Sequence, residues 1–224
     1  MSEQKKRAAE KATESIKHGM ILGLGTGSTA AYAVAKIGQM VRDGLSVKGI
    51  PTSEQTRVQA EAEGIPLIDF SETTTIDLTI DGADEIDGNF NMIKGGGGAL
   101  FREKIVASAS REVLIVTDAS KRVACLGKFP LPVEVSPFGW QVVAGKLKRL
   151  GANDVKLRTR NQTATFISDN GNYILDCHFE QIRDVPLLEA QINQIPGVVV
   201  NGLFVNLATR LIIGTDQGVE VYER

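Results

Sequence analysis

Short apolar runs alternate with helix-period segments throughout the first half of the chain, and this alternation constrains the fold more than any other feature. MILGLG reads as a strand ending in glycines, and STAAYAVAKIGQMVRDG follows with helical spacing until Gly44. LSVKGIPTS is a strand, and EQTRVQAEAEG is a helix stopped by Gly64. IPLIDF and TIDLTIDGADE read as strands, ALFREKIVASAS as a helix and REVLIVTDASK as a further strand. Parallel strands need a long crossover, usually helical, so the rhythm predicts an α/β fold: a mostly parallel sheet with helices on both faces. Ligands of such sheets bind beyond the carboxyl ends of the strands.

The pattern changes at KFPLPVEVSPF, where three prolines interrupt the chain. From there the spacing predicts a strand at 131–135, a helix over 138–150, and strands at 154–158, 163–168 and 172–178, the last two joined by a DNGN turn. A helix at 184–194 and a strand at 197–204 complete a β-α-β-β-α-β order with one added strand, a small α+β domain of ferredoxin-like type. The tail RLIIGTDQGVEVYER reads as a hairpin returning to the first sheet. The expected division is therefore 1–129 plus 205–224 for the large domain and 130–204 for the small one.

Charge narrows the function classes. Lysine plus arginine number 25 against 27 acids, a net charge of −2, so no global positive field attracts nucleic acid and no such partner is expected. The opening stretch MSEQKKRAAEKATESIKHG is charged throughout and carries no apolar core of a secretory signal. No apolar run approaches the ~18–20 residues of a membrane span. The opening stretch reads instead as an amphipathic helix with Ala8, Ala12 and Ile16 on one side. Its triplet Lys5, Lys6, Arg7 is an ordinary solvated face, unless one of the three reaches an anionic ligand. Cys125 and Cys177 form no C-x-x-C pair, so free thiols in a reducing cytoplasm are expected.

Three strand ends carry unusual residues. GLGTGSTA, residues 23–30, follows a strand and opens a helix. Small residues let backbone N–H groups approach an anion, and the helix N-terminus adds positive partial charge. Thr26, Ser28 and Thr29 add hydroxyls beside Gly27. Gly25 to Ala30 also spells G-x-G-x-x-A, a dinucleotide fingerprint variant, but the second strand ends GIPTSEQ with no acid for a ribose. A plain turn with helix caps is the bland alternative.

The second is DGADEID, where Asp81, Asp84, Glu85 and Asp87 crowd a strand end beside Gly82 and Ala83. Turn chemistry explains one or two aspartates. Four acids in seven residues repel one another unless sugar hydroxyls, a cation or a lysine uses them. Metal binding is a fair rival, but the spacing is not that of an EF-hand and, with only His18 and His178, the chain offers no histidine-rich metal cluster; the expectation is no metal and no cofactor.

The third is IKGGGGALFREK, residues 93–104. Lys94 precedes Gly95, Gly96, Gly97 and Gly98, and Glu103 falls in the first turns of the helix that follows. A Walker A loop has its lysine after the last glycine, so this is not one. A flexible linker is the bland reading, but the run is short and flanked by strand and helix. A loop on which a ligand lies against bare backbone fits better. An anion cradle, a carboxylate cluster, a lysine and a candidate base together suit a phosphorylated sugar undergoing proton transfer at carbon. A carboxylate enclosed by substrate is a competent base, and a lysine stabilises the oxyanion that develops.

These blocks resemble the ribose-5-phosphate isomerase type A family. GLGTGSTA, DGADEID, KGGGGALFREK and TDASK match in order, as do PLPVEVSPF and the closing GTDQGVEV. The resemblance implies a Rossmann-like large domain with a smaller α+β domain, and interconversion of ribose 5-phosphate and ribulose 5-phosphate without a metal, in the pentose phosphate pathway. It implies Glu103 as general base, Lys94 and Asp81 at the reacting oxygens and Asp84 positioning the sugar. Thr26–Thr29, Asp81–Asp84 and Lys94–Gly97 are the implied substrate-binding segments, with Lys121 of TDASK at the phosphate and a homodimer as the assembly. Competing readings are a sugar-phosphate sensor, which would not need Glu103 beside Lys94, a nicotinamide oxidoreductase, and a coenzyme A transferase using Glu103 as nucleophile.

Overall fold

The computed structural model describes residues 3–224; Met1 and Ser2, part of the N-terminal stretch read as helical, lie outside the described residues. The chain packs as two compact units. The first comprises the chain up to Ala83, Arg102–Arg122 and Leu207–Arg224, and the second Asp84–Phe101 and Val123–Asn206.

In the first unit six strands form one sheet, in the order Gly218–Glu223, Arg210–Thr215, Ser110–Asp118, Ile76–Asp81, Ile21–Leu24, Lys48–Pro51. Every neighbouring pair is parallel except the edge hairpin of the first two. Leu22, Leu24, Leu78, Ile80, Leu114 and Val116 from the central strands share one buried cluster. These alternate positions line one face of the sheet, and Ile50, Ile76 and Val106, with Ile21 packed against them, form a separate buried cluster. Helices Glu3–Thr13, Ala30–Arg42 and Glu54–Ala62 add Ala8, Ala12, Val34, Ile37 and Ala60 to the first cluster. The N-terminal helix lies so close to the sheet that a Cβ on Gly214 would sit 1.8 Å from the Gln4 carbonyl oxygen.

In the second unit an antiparallel sheet runs Val198–Asn201, Leu131–Val135, Tyr173–His178, Asp154–Leu157. Helices Trp140–Arg149 and Val185–Asn193 supply the two crossovers, and Val143, Leu147, Leu188 and Ile192 pack with Val133, Leu175 and Cys177. This is the expected β-α-β-β-α-β order, with a ferredoxin-like 4-1-3-2 strand arrangement. A small sheet of Leu203–Phe204, Met92–Ile93 and Glu85–Ile86 joins residues 84–101 to this unit. The expected division puts that segment in the large domain; its pairing partner, Leu203–Phe204, is too distant along the chain for local pattern to reveal.

IPLIDF, expected as a strand, pairs only through one parallel bridge between Leu67 and Gly49. Pro66 has no N–H for a ladder, and Asp69 turns the chain by accepting from the Ser71 N–H at 2.7 Å. The strand expected over 163–168 shrinks to Ala164–Thr165, paired with Thr159–Arg160, plus a bridge between Ile167 and Tyr173. Among the described residues no helix is long and apolar enough to cross a membrane. Cys125 and Cys177 are free thiols.

Candidate active site

The parallel strands of the first unit bring their carboxyl ends to one edge, as the register of Leu24 with Ile80, Asp81 with Ile115 and Gly214 with Asp118 requires. The loop 25–29 leaves that edge. Gly25 is there because strand Ile76–Asp81 is close: a Cβ on it would lie 2.3 Å from Asp81 Oδ1 and 2.6 Å from Asp81 Cα. Gly27 has a different reason. Its φ of +110° is disfavoured for any L side chain, although the space beside it is open.

Thr26 shapes the loop. Its Oγ1 lies 2.7 Å from Thr52 Oγ1, 2.8 Å from Ser53 Oγ and 3.0 Å from Thr56 Oγ1. The tip of the second strand thus carries a knot of hydroxyls where a dinucleotide site would carry an acid. Ser53 also caps helix Glu54–Ala62, accepting from the Thr56 N–H at 3.0 Å. Thr29, at the N-cap of helix Ala30–Arg42, makes no side-chain cap bond, so it does not take up the amides that begin the helix. The Ala31 and Tyr32 amides donate to the Gly27 and Thr29 carbonyls at 3.0 and 3.1 Å, and the helix dipole favours an anion at this end.

One lysine reaches this helix start, and a second lies near its acidic partner. Lys5 Nζ donates to Ser28 Oγ at 3.0 Å and stands 3.8 Å from Asp118 Oδ2. Of the basic triplet it is the member that reaches the cradle, whereas Arg7 bonds the carbonyl of Asp216 at 3.2 Å and Lys6 is exposed. Lys121 ends the short 3-10 turn Ala119–Lys121 that Asp118 caps through the Ser120 N–H at 3.0 Å. Burial works to raise the Asp118 carboxyl, but hydrogen bonds from the Ser120 hydroxyl and amide, with the charges of Lys5 and Lys121, outweigh it and hold the group below the usual carboxylate range.

The acidic cluster divides its labour. Asp81, 2% exposed, accepts from the Thr26 N–H at 3.1 Å and the Gly82 N–H at 2.7 Å, which pins it beside the cradle. Glu103 is also in this unit, 5% exposed in the first turn of helix Leu100–Ser108. The other three acids belong to the second unit. Asp84 Oδ2 accepts from the Gly96 N–H at 2.7 Å. Glu85 accepts from the Gly127 and Phe129 amides, each at 2.7 Å, and Asp87 from the Asn89 and Asn91 amides at 2.8 and 2.9 Å. Glu85 and Asp87 therefore serve the backbone, and the expected mutual repulsion is relieved by amide donors.

Lys94 begins the glycine loop of the second unit and is 3% exposed, its Nζ 5.4 Å from the Phe204 ring centroid. Its backbone is clasped by Gly202: the Lys94 N–H donates to the Gly202 carbonyl at 2.9 Å, and a Cβ on Gly202 would lie 2.5 Å from the Lys94 carbonyl oxygen. Three of the four loop glycines have an internal reason. Gly95 and Gly98 have φ of +100° and +84°, and a Cβ on Gly96 would meet Asp84 Oδ1 at 2.5 Å. Gly96 and Gly97 are the exposed pair. Ligand approach alone thus does not account for the run. Lys5, the Thr52–Ser53–Thr56 hydroxyls and Gly202 contact the candidate loops, and sequence reasoning did not single them out; for Lys5 the signal was a basic triplet ahead of an anion loop. Among the described residues no group of three or more histidine, cysteine or acidic side chains could hold a metal ion.

A parallel sheet whose carboxyl edge offers a lysine-flanked helix start beside a pinned carboxylate is that of an α/β enzyme for a small anionic substrate. The family model of ribose 5-phosphate isomerase A (phosphoriboisomerase A) matches residues 48–218. The chain is 55% identical to ribose-5-phosphate isomerase A of Gloeobacter violaceus, covering 97% of this chain and 94% of that one. It is 48% identical to that of Parvibaculum lavamentivorans, covering 99% and 98%. The ribose 5-phosphate isomerase A structure from Methanocaldococcus jannaschii aligns with a TM-score of 0.93 at 41% identity over 98% of both chains. A D-ribose-5-phosphate isomerase in complex with phospho-erythronic acid gives 0.94 at 39% identity over 98% and 97%. This chain belongs to the ribose 5-phosphate isomerase A family.

Proposed function

We propose that the chain interconverts D-ribose 5-phosphate and D-ribulose 5-phosphate through an enediol, with Glu103 as general base. The observation that carries this reading is membership of an isomerase family across nearly the whole chain. Glu103 removes the proton from C2 of the open-chain aldose. The C–H electron pair becomes the C1–C2 double bond, and charge develops on the C1 oxygen, where the Lys94 ammonium stabilises it. Glu103 then returns the proton to C1 while the O2 hydroxyl proton passes to O1, which yields the ketose. Asp81 binds and polarises the reacting oxygens, and Asp84 positions the sugar. The helix start at 27–30, Ser28, Lys5 and Lys121 take the phosphate. The relative that holds phospho-erythronic acid supports the enediol, because a carboxylate at that end of a phosphorylated sugar acid resembles the planar, charged intermediate.

The protein acts as a homodimer in the cytoplasm on this reading, the latter supported by two free thiols. The test of the chemistry is isomerisation in deuterated water after chelator treatment. Full activity with solvent deuterium at the carbon that receives the proton is expected. Loss of activity restored by a divalent metal, with no deuterium in the product, would overturn the enediol route.

A further inference from the structure

Arg158 lies in the second unit, in the break between strands Asp154–Leu157 and Thr159–Arg160, and its guanidinium makes four hydrogen bonds. Asp176, on strand Tyr173–His178, holds one side of the fork: Nε donates to Oδ2 at 3.0 Å and Nη2 to Oδ1 at 2.5 Å. On the other side Nη1 donates to the carbonyl of Gly95 at 2.8 Å and to that of Gly96 at 3.2 Å. The side chains are 12% and 23% exposed, so water competes little for the pair. The sheet fixes where the arginine starts, since its N–H donates to the Ile174 carbonyl at 2.8 Å and its carbonyl accepts from the Phe166 N–H at 2.9 Å. Phe166 in turn covers the end of the loop: a Cβ on Gly98 would lie 2.4 Å from its ring.

The peptide between Gly95 and Gly96 is therefore held at both ends. Its carbonyl accepts from a cation, and its N–H donates to Asp84 Oδ2 at 2.7 Å. A peptide between two glycines rotates with little steric resistance, and a flip would turn the N–H away from Asp84. A cation on the carbonyl opposes the flip and polarises the amide, which strengthens the N–H as a donor.

We propose that Arg158, braced by Asp176, is a positioning residue for the isomerisation: it locks the 95–96 peptide so that its N–H orients the Asp84 carboxylate and the Lys94 loop keeps one conformation. This inference rests on the reading of Asp84 and the glycine loop as sugar-binding, and Arg158 itself touches no substrate. Small displacements of positioned groups cost up to about 10²-fold in rate. Arg158→Met is expected to lower kcat for ribose 5-phosphate roughly 10- to 100-fold, with KM for the phosphorylated substrate changed far less. Arg158→Ala is expected to regain part of that kcat in millimolar guanidinium, a response that general loosening of the fold would not give. In a cycle with Asp84→Asn, the double variant should lose little more than Asp84→Asn alone. Wild-type kcat in Arg158→Met while Asp84→Asn is crippled, or additive losses, would overturn the positioning role and leave the sugar-binding reading standing. Wild-type kcat in Asp84→Asn would overturn both. Should Arg158→Met not fold, Arg158→Lys, which keeps the charge without the fork, is expected to show the same kcat-selective loss, and its absence would overturn the proposal.

Discussion

Glu103 and Lys5 are opposite cases at the scale of the residue. Glu103 was prominent in the sequence because a glycine run precedes it, and the fold buries it in the first turn of its helix. Glu103→Gln preserves its shape and removes the base, so turnover should fall roughly 10²–10⁴-fold with KM nearly kept, as steady-state kinetics would read. Wild-type turnover would remove Glu103 from the mechanism. Lys5 was only one of three adjacent cations, and nothing local distinguished it; its Ser28 and Asp118 contacts come from loops that chain folding brings to it. Lys5→Ala should raise KM for ribose 5-phosphate about 10-fold, since a charged hydrogen bond contributes roughly 1.5–3 kcal/mol. The poor rate with unphosphorylated ribose should not change; an equal fall for both substrates would place Lys5 away from the phosphate. The four acids of DGADEID looked alike in sequence for the same reason. The amides that occupy Glu85, those of Gly127 and Phe129, lie far along the chain, and no spacing rule points to them.

At the scale of the element, the parallel strands, the cradle helix and the closing hairpin were legible because each declares itself over a short window of apolar spacing and a glycine stop. IPLIDF was misread because its apolar pattern is that of a strand while Pro66 and the Asp69 turn limit it to one bridge. The turn Ala119–Lys121 was visible only as TDASK, yet its cap gives the site a pH dependence. Asp118 has a lowered folded-state pKa, so its stabilisation is complete above the ordinary aspartate value of about 3.9 and is lost as pH falls through the lower folded value. Asp118→Asn keeps a capping side chain but removes the charge. The gap in Tm between wild type and this variant should stay constant from about pH 5 to 7 and close below about pH 4. A gap that widened in acid would reverse the sign of the argument.

At the scale of the whole molecule, the sequence divided the chain into two contiguous blocks and a tail, whereas the packed units exchange the chain at 83–84, 101–102, 122–123 and 206–207. The expected boundaries at 129–130 and 204–205 fall near the last two; those at 83–84 and 101–102 were not read, because the pairing that assigns 84–101 to the second unit is made with Leu203–Phe204, far along the chain. Sedimentation at micromolar concentration should give twice the chain mass if the homodimer proposal is right, and a single-chain mass under assay conditions would refute it.

The strand Arg210–Thr215 lies between Ser110–Asp118 and the edge strand Gly218–Glu223, and the N-terminal helix packs on it at Gly214. On the ribosome, the segment carrying Lys5 emerges well before Arg210–Thr215, so its seat, which Ser110–Asp118 and helix Ala30–Arg42 share, is completed only when that strand is out. Until then Ser110–Asp118 is an open edge with an apolar row, able to pair with another nascent chain. A chain stopped short of residue 207 would hold the 25–29 loop and its Lys5, Asp81 and Asp118 partners, yet would carry that open strand edge into the cell as an aggregation-prone fragment.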